Sequence, residues 1–420
     1  MKDFLDELDQ ELGWSSLKSN DDVNSDSSEK KDHKKVERNE NNTVVKKVTQ
    51  EAPQKKDHKK PSYKNNKKDS SEVRWKFVSK FPETKFYLPS LREGYTRYMP
   101  IGGNNETWAK NMWMVQYWDD IVLIDCWVQF ADKDMLWVNY SIPDVSFLTK
   151  YKKQIKGMLI THAHLDHIGS LKHVMPALGM PTLYATKFTL WLIRKSLEEA
   201  GLIPHATLIE IDASSGDKFK VGSFSVEYFN VNHSVPDCAW IYLESEGGTK
   251  IVHTWDFKID HTPAIDKPAD LDRIGEIWKR GISLFLSDST GSTRKGFSMS
   301  EKNVWEELER IVSDHTRGRL IIATFSSWIS RIQQLVDICE KYDKTIFLSG
   351  RSMIENVAIA KELGYLNIKQ GIVKKMTPKN TEGIAPHKQI VITTGSNEKN
   401  FQHFQEWLNE YKQQLKLYEE

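Results

Sequence analysis

Residues 157–169 read Gly-Met-Leu-Ile-Thr-His-Ala-His-Leu-Asp-His-Ile-Gly, an apolar run followed at once by three histidines and an aspartate. The apolar run is typical of a buried strand. Imidazole nitrogens and carboxylate oxygens bind zinc, and a catalytic zinc site keeps one position for water. His162 and His164 are two residues apart, so both can face one ion, while Asp166 and His167 lie past the turn and can reach a second. The stretch predicts a metal site, with a histidine-rich surface loop as the alternative.

Two further ligand-type residues follow the histidine cluster along the chain. His233 comes after the strand-like residues 224–229, and Asp256 closes the apolar run that begins at residue 251. A carboxylate can bridge two ions, and paired metals stabilise the attacking and leaving oxygens of a phosphoryl displacement. Either residue alone would be an ordinary cap or solvated turn. In this order after the cluster, both are expected to be metal ligands.

The His-x-His-x-Asp-His run, the later histidine and residues 254–258 resemble the metallo-β-lactamase superfamily. The resemblance narrows to the ribonuclease J family of the β-CASP branch and spans roughly residues 97–396 in family order. The stretches that carry it are 102–103, Glu106, 110–112, 142–144, 186–190, 233–237, 256–258, 286–290, 323–325, 331–334, 349–353 and 393–396.

The resemblance implies an α/β protein with a metallo-β-lactamase αββα sandwich over residues 76–287 and a β-CASP α/β domain over residues 288–396. The pattern of the chain agrees, because strand-like runs surround helices near 168–178 and 187–200. Later strands then alternate with helices near 301–315, 328–341 and 353–363, as in parallel sheets. Residues 1–75 are predicted to be a disordered low-complexity tail, acidic and then lysine-rich. Residues 397–420 are predicted to form an amphipathic helix in which the resemblance ends.

The resemblance also implies a role for each matching metal ligand. His162, His164 and His233 would hold one metal ion. Asp166 and His167 would hold the second, with Asp256 bridging the two. We expect two divalent ions, zinc first, with manganese or magnesium as alternatives.

Other matching residues are assigned to catalysis and substrate binding. Asp166, which would also orient the water, His167 and Asp288 are the expected catalytic residues. Ser287 and Ser289 lie beside Asp288, near where the family binds RNA phosphate. Phe130 matches a position that stacks on a base, which suits single-stranded RNA. A buried core phenylalanine is the alternative for this residue.

The expected function is a ribonuclease whose two metals activate a hydroxide to hydrolyse RNA phosphodiester bonds. It would act as a 5′-to-3′ exonuclease, an endonuclease or both on 5′-monophosphorylated single-stranded RNA, in RNA processing and decay. The family's later His-x-Ser-Gly-His stretch, further metal-binding histidine and dimerisation domain are not found here. A non-catalytic RNA-binding remnant or fragment is therefore one alternative, and the oligomeric state is left open. Another hydrolase on the same fold is the second alternative.

Composition sets further bounds. The net charge of +1 hides the change from an acidic to a lysine-rich segment within the tail. That basic segment is either a solvated linker or a salt-sensitive tether for RNA. No apolar run approaches the roughly 18 residues of a membrane span, and no secretory signal is visible. Cys126, Cys238 and Cys339 show no metal or disulfide spacing. We expect a cytoplasmic protein with no membrane contact.

The tryptophan content is unusual. The chain has 14 Trp and only 22 Gly, although glycine is about 7% of residues in typical proteins. Five of the tryptophans fall where the resembling family has glycine: Trp108, Trp127, Trp137, Trp191 and Trp255. Glycine is used where the backbone needs positive φ or close approach, and tryptophan is a poor replacement there. The hypothesis is that a UGA codon, written here as tryptophan, is read as glycine in the source organism.

Overall fold

The computed structural model of the protein describes residues 86–102, 110–131, 135, 137–264 and 267–394. The predicted tail of residues 1–75 and the predicted helix of residues 397–420 lie outside these ranges. No helix within the described ranges is long and apolar enough to span a membrane.

Two sheets are formed by the strands that precede residue 287. In chain order these strands are β1 (Thr96–Pro100), β2 (Trp113–Tyr117), β3 (Asp120–Ile124), β4 (Gln129–Phe130), β5 (Tyr140–Ser141), β6 (Ile155–Leu159), β7 (Leu183–Ala185), β8 (Leu208–Glu210), β9 (Lys218–Val221), β10 (Phe224–Asn230), β11 (Ala239–Ser245), β12 (Lys250–His253) and β13 (Leu284–Leu286). One sheet has the order β1-β2-β3-β6-β7-β8 and the other β13-β12-β11-β10-β9, while β4 pairs with β5 separately.

The helices of this region are α1 (Leu165–Ile168), α2 (Leu171–Val174), α3 (Lys187–Glu199) and α4 (Leu271–Lys279), with 3₁₀ turns at Ser146–Tyr151 and Ile203–His205. Strand residues alternate between the two faces of each sheet. Val122 and Ile124 of β3 therefore pack against the second sheet, in a core shared with Ile241 and Leu243. Helices α1 to α3 cover the outer face of the first sheet, and Ile277 of α4 packs on the outer face of the second. The predicted αββα sandwich is confirmed.

A second α/β unit follows, with α5 (Glu301–Asp314), β14 (Leu320–Ala323), α6 (Ile329–Lys341), β15 (Thr345–Leu348), α7 (Arg351–Glu362), β16 (Val373–Lys375), α8 (Pro378–Thr381), a 3₁₀ turn (Pro386–Lys388) and β17 (Gln389–Thr393). Its sheet has the order β14-β17-β15-β16, and every pairing is parallel. Apolar residues of α6 and α7 pack onto this sheet. The predicted parallel α/β architecture is confirmed here too.

One predicted helix differs from the expectation. Residues 168–178 were expected to form a single helix, but the chain forms the two short helices α1 and α2. Between them the Ser170 amide N–H donates to the Cys126 carbonyl (3.2 Å) instead of continuing the α1 pattern. Gly169 also approaches Val128 so closely that a Cβ would lie 2.2 Å from Val128 Cγ1. The segment that follows β3 therefore interrupts the helix, because Cys126 takes the Ser170 hydrogen bond and Val128 packs closely on Gly169.

Glu301, the first residue of α5, joins the two parts of the chain. Its carboxylate binds Lys258 Nζ at 3.1 Å and Arg331 Nη2 at 3.0 Å. Its backbone N–H donates to Asp260 Oδ2 at 2.8 Å, and its carbonyl accepts from Gln334 Nε2 at 2.9 Å. Because Lys258 and Asp260 follow β12 while Arg331 and Gln334 lie on α6, one residue fixes the second unit to the loop that carries Asp256.

We predict that Glu301→Ala lowers the free energy of unfolding by about 2 kcal/mol, because Lys258 and Arg331 lose a shared, half-buried partner. The measurement is urea denaturation followed by circular dichroism. Glu307→Ala on the same helix removes an exposed partner of Arg310 and should leave stability unchanged within error. Equal effects of the two substitutions on the free energy of unfolding would contradict the role of Glu301 in fixing the second unit to the loop after β12.

Candidate metal centre

Loops from both sheets of the sandwich meet at one end of their strands. The His-rich loop follows β6, His233 follows β10, and Asp256 follows β12. The Ala239 N–H donates to the Thr161 carbonyl at 3.2 Å, and the Lys258 N–H donates to the Asn232 carbonyl at 2.7 Å. These backbone bonds hold the three loops together, so side chains about 70 to 90 positions apart converge.

The first group of donors contains three histidines and one carboxylate. His162 Nε2 lies 3.1 Å from His164 Nδ1, and His233 Nε2 lies 3.2 Å from the same atom. Asp256 Oδ2 is 3.6 Å from His233 Nε2 and 4.0 Å from His162 Nε2. One ligand atom from each of these four residues lies within 4.8 Å of the others.

The second group contains Asp166, His167 and the same Asp256. His167 Nε2 lies 3.5 Å from Asp166 Oδ2 and 4.0 Å from Asp256 Oδ2. Asn111 Nδ2 donates to Asp166 Oδ2 at 3.1 Å and lies 3.0 Å from His167 Nε2. The two groups thus share the Asp256 carboxylate, and the role of Asp256 as a bridge between two ions stays a prediction.

Asp125 supports this centre, a role that the sequence did not reveal. Its fully buried carboxylate lies 2.8 Å from His167 Nδ1. It also accepts the Thr161 N–H and the Thr161 hydroxyl, each at 2.9 Å. A carboxylate on one nitrogen of a ligand histidine fixes the ring and leaves the other nitrogen for the metal. Asp125 therefore directs His167 Nε2 toward Asp166 and Asp256.

Burial keeps most of the histidines neutral. Burial, with the neighbouring His167 charge, lowers the pKa of His164 to about 4 despite the opposing effect of Asp166. Burial and the surrounding imidazoles also hold the pKa values of His162 and His233 well below the usual range. His167 is the exception, since Asp166 and Asp125 raise its pKa against the effect of burial. Neutral imidazoles are the form that binds metal.

The two site carboxylates differ. Burial raises the pKa of Asp256 to about 6; the His167 charge opposes this, while Asp166 and Asp288 reinforce it. Burial would also raise the pKa of Asp166, but the charge and hydrogen bonding of His167 lower it to about 2. The ionised form of Asp256 is therefore disfavoured mainly by burial and further by neighbouring carboxylates, a condition that nearby cations would relieve.

The residues fit two divalent ions. Nitrogen and carboxylate donors converge on two neighbouring points, most of the histidines are in the neutral form, and a buried carboxylate orients His167. His162, His164, His233 and Asp256 would hold one ion, and Asp166, His167 and Asp256 the other.

Comparison with known proteins agrees with this architecture. A beta-lactamase superfamily domain matches residues 121–274, and the beta-CASP domain of Ribonuclease J matches residues 317–420. The chain belongs to the ribonuclease J family. The resemblance seen in the sequence is confirmed. The β-CASP match also runs past Ser396, where we expected the resemblance to end.

Curated ribonuclease J proteins align over much of the chain. It is 33% identical over 309 residues to Ribonuclease J of Thermus thermophilus, covering 72% of this chain and 53% of that protein. It is 35% identical over 307 residues to Ribonuclease J 1 of Streptococcus pyogenes, covering 73% of this chain and 53% of that protein. It is 34% identical over 316 residues to Ribonuclease J of Helicobacter pylori strain 26695, covering 75% of this chain and 44% of that protein. The chain spans about half the length of the curated relatives it matches.

The other predicted residues of this ribonuclease J family member lie outside the donor groups. Asp288 is half-buried and close enough to raise the pKa of Asp256, while its Oδ1 accepts the Thr290 N–H at 2.8 Å. Ser287 and Ser289 are exposed beside it. Phe130 is 60% exposed, so the alternative of a buried core phenylalanine is wrong. The roles of these residues in catalysis and substrate binding stay predictions.

We predict that Asp125→Asn weakens zinc affinity by about 10- to 100-fold, because His167 loses the charged partner that orients it. Competition with a chromophoric chelator measures the affinity. Asp120→Asn is the matched control, since Asp120 begins the same strand β3 and instead binds Ser223 and Lys156. Unchanged affinity in the Asp125 variant would contradict the supporting role.

Zinc affinity should also fall as pH drops through about 6. Asp256 must be ionised to bind a cation, and its pKa of about 6 places proton competition below that pH. Protonation of Asp256 should lower zinc affinity about tenfold per pH unit below 6, and the raised pKa of His167 adds proton competition at higher pH. Calorimetric titration across pH 5 to 7.5 measures this, and constant affinity over that range would refute it.

Proposed function

We propose that the protein is a metal-dependent ribonuclease that hydrolyses RNA phosphodiester bonds. The observation that carries the proposal is the pair of donor groups sharing Asp256, in a chain whose residues 317–420 match the beta-CASP domain of Ribonuclease J. Zinc is the expected metal, with manganese or magnesium as alternatives.

The residues of the chain divide the chemical work. When bound, two divalent ions would lower the pKa of a water and offset negative charge on the phosphate. Asp166, with a pKa of about 2, remains ionised and suits orientation of a water better than removal of its proton. Asn111 holds the Asp166 carboxylate in place. Asp125 holds His167, so this side of the centre is preorganised.

Groups near the centre suit an RNA substrate. The exposed ring of Phe130 offers a face on which an unpaired base can stack. The hydroxyls of Ser287 and Ser289 are exposed and are proposed to bind RNA phosphate, and Asp288 lies between them as a proposed catalytic residue. We propose that the substrate is 5′-monophosphorylated single-stranded RNA, cut from its 5′ end, internally, or both.

A second candidate is a non-catalytic RNA-binding protein. The observation that favours it is the exposed ring of Phe130, because base stacking on that ring needs no metal chemistry. A third candidate, another hydrolase on the same fold, would cleave DNA or a thioester instead.

Degradation of a 5′-labelled, 5′-monophosphorylated single-stranded RNA with zinc or manganese tests the proposal. We expect cleavage by the protein and none by the double variant Asp166→Ala, His167→Ala. The matched control is Asp314→Ala with His315→Ala, another adjacent Asp-His pair at the exposed end of α5, which should cleave normally.

RNA binding without cleavage would support the second candidate. Equal cleavage of single-stranded DNA would support a different hydrolase. Release of mononucleotides would identify the 5′-to-3′ mode, and internal fragments the endonuclease mode.

A further inference from the structure

Three tryptophans lie in the left-handed region of backbone conformation, with φ of 50° at Trp118, 70° at Trp137 and 48° at Trp255. An L-residue there brings its Cβ too close to the following carbonyl oxygen. For a bulky residue such a conformation is a genuine outlier. Of the eight non-glycine residues with positive φ in the described ranges, three are tryptophan and three are aspartate. Aspartate tolerates this region, and lysine and methionine occur there once each, so tryptophan is the only poorly suited residue type that recurs among the described residues.

Trp118 also lies in a tight hairpin turn, at a position that normally carries glycine. Tyr117 pairs with Asp120 across the β2–β3 hairpin, which leaves a two-residue loop of Trp118 and Asp119. Of these two residues, Trp118 has positive φ. Two-residue hairpin loops with positive φ at the first position are of type II′, in which that position carries glycine.

Trp255 raises a second problem, because it adjoins Asp256 in the metal centre. Its ring centroid is 5.5 Å from that of His167 and 5.2 Å from that of His253. Its indole N–H is buried, with no acceptor among the described residues. Buried tryptophans ordinarily find a partner for this group, and leaving it unpaired costs free energy.

The neighbouring left-handed residues of the centre have a reason to be there. Asp125 (φ 57°) accepts the Thr161 N–H, and Asp237 (φ 57°) accepts the Phe188 N–H at 3.3 Å. Their side chains use the strained backbone to make hydrogen bonds. Trp255 makes no comparable bond through its indole nitrogen, so its conformation is set by the path of the backbone alone.

We propose that positions 118, 137 and 255 are glycine in the functional protein, because the codon written here as tryptophan is read as glycine. Glycine at 255 would then be a positioning residue, whose left-handed backbone turns the Asp256 carboxylate toward both donor groups without crowding His167. This second part rests on the proposed function. Of the five positions singled out in the sequence, 137 and 255 gain structural support, and position 118 joins them.

Positions 127 and 191 are not among the positive-φ residues, and their identity stays a prediction. Position 108 lies outside the described residues.

Peptide sequencing by mass spectrometry of the native protein, isolated from its source organism, tests the identity. Trypsin releases position 255 in the peptide 251–258 and position 137 in the peptide 134–150, and each of these peptides has one tryptophan in the written sequence. Position 118 is released in the peptide 111–133. We expect glycine at all three positions. The control is recombinant protein made with tryptophan codons, which must yield tryptophan in the same peptides. Tryptophan in the native peptides would overturn the proposal, whatever the protein does to RNA.

Variants test the positioning role of residue 255. Trp255→Gly should raise bound zinc toward two ions per chain and shift the unfolding equilibrium about tenfold toward the folded state, since the left-handed penalty is removed. Trp255→Ala removes the indole but keeps Cβ, so it should gain less. Asp343→Gly relaxes a positive φ far along the chain in the second unit and should leave zinc content unchanged.

Equal zinc content in the Trp255→Gly and tryptophan forms would overturn the positioning role. Raised zinc content without RNA cleavage would leave that role standing and count against the proposed ribonuclease activity instead.

Discussion

Asp125 ends β3 with its carboxylate fully buried, and His167 and Thr161 lie within hydrogen-bonding distance of it. A buried carboxylate without partners would be strongly unfavourable, so the His-rich loop must keep these groups in place. The loop cannot move without leaving the carboxylate unsatisfied. The position of both donor groups follows, because His162 comes directly after Thr161 and Asp166 directly before His167.

The two sheets give this loop its partners. His233 and Asp256 come from the second sheet, and the backbone bond from Ala239 to Thr161 ties that sheet to the His-rich loop. Four histidines and two carboxylates are then held close together. Burial at this point lowers the pKa of His164 and raises that of Asp256, while Asp166 and Asp125 keep the pKa of His167 raised. Glu301 fixes the second α/β unit to the loop after β12, which is the loop that carries Asp256.

The sequence was sufficient to predict which donor side chains converge and insufficient to predict the residues that support them. His162 to His167 could be predicted because several metal-binding side chains stand within six residues after an apolar strand. Asp125 could not, since a single aspartate after a strand is ordinary and its partners lie 36 and 42 positions away. Asn111 stood in a matching stretch, but nothing in the sequence linked it to Asp166. The exposure of Phe130 depended on a two-residue strand paired outside the main sheets, which leaves almost no periodic signal.

Backbone conformation links the supports to the tryptophans. Strands β3 and β12 both lead into the centre through a left-handed residue, Asp125 in one and Trp255 in the other. In both places the left-handed residue takes the chain out of the sheet beside the two donor groups. At position 125, hydrogen bonds from Thr161 to the Asp125 carboxylate offset the energetic cost of the left-handed conformation. At 255 the side chain offers no such compensation and its N–H is left unpaired. A residue without a side chain satisfies the same turn with neither cost, which is why the geometry of the metal centre itself favours glycine at that position.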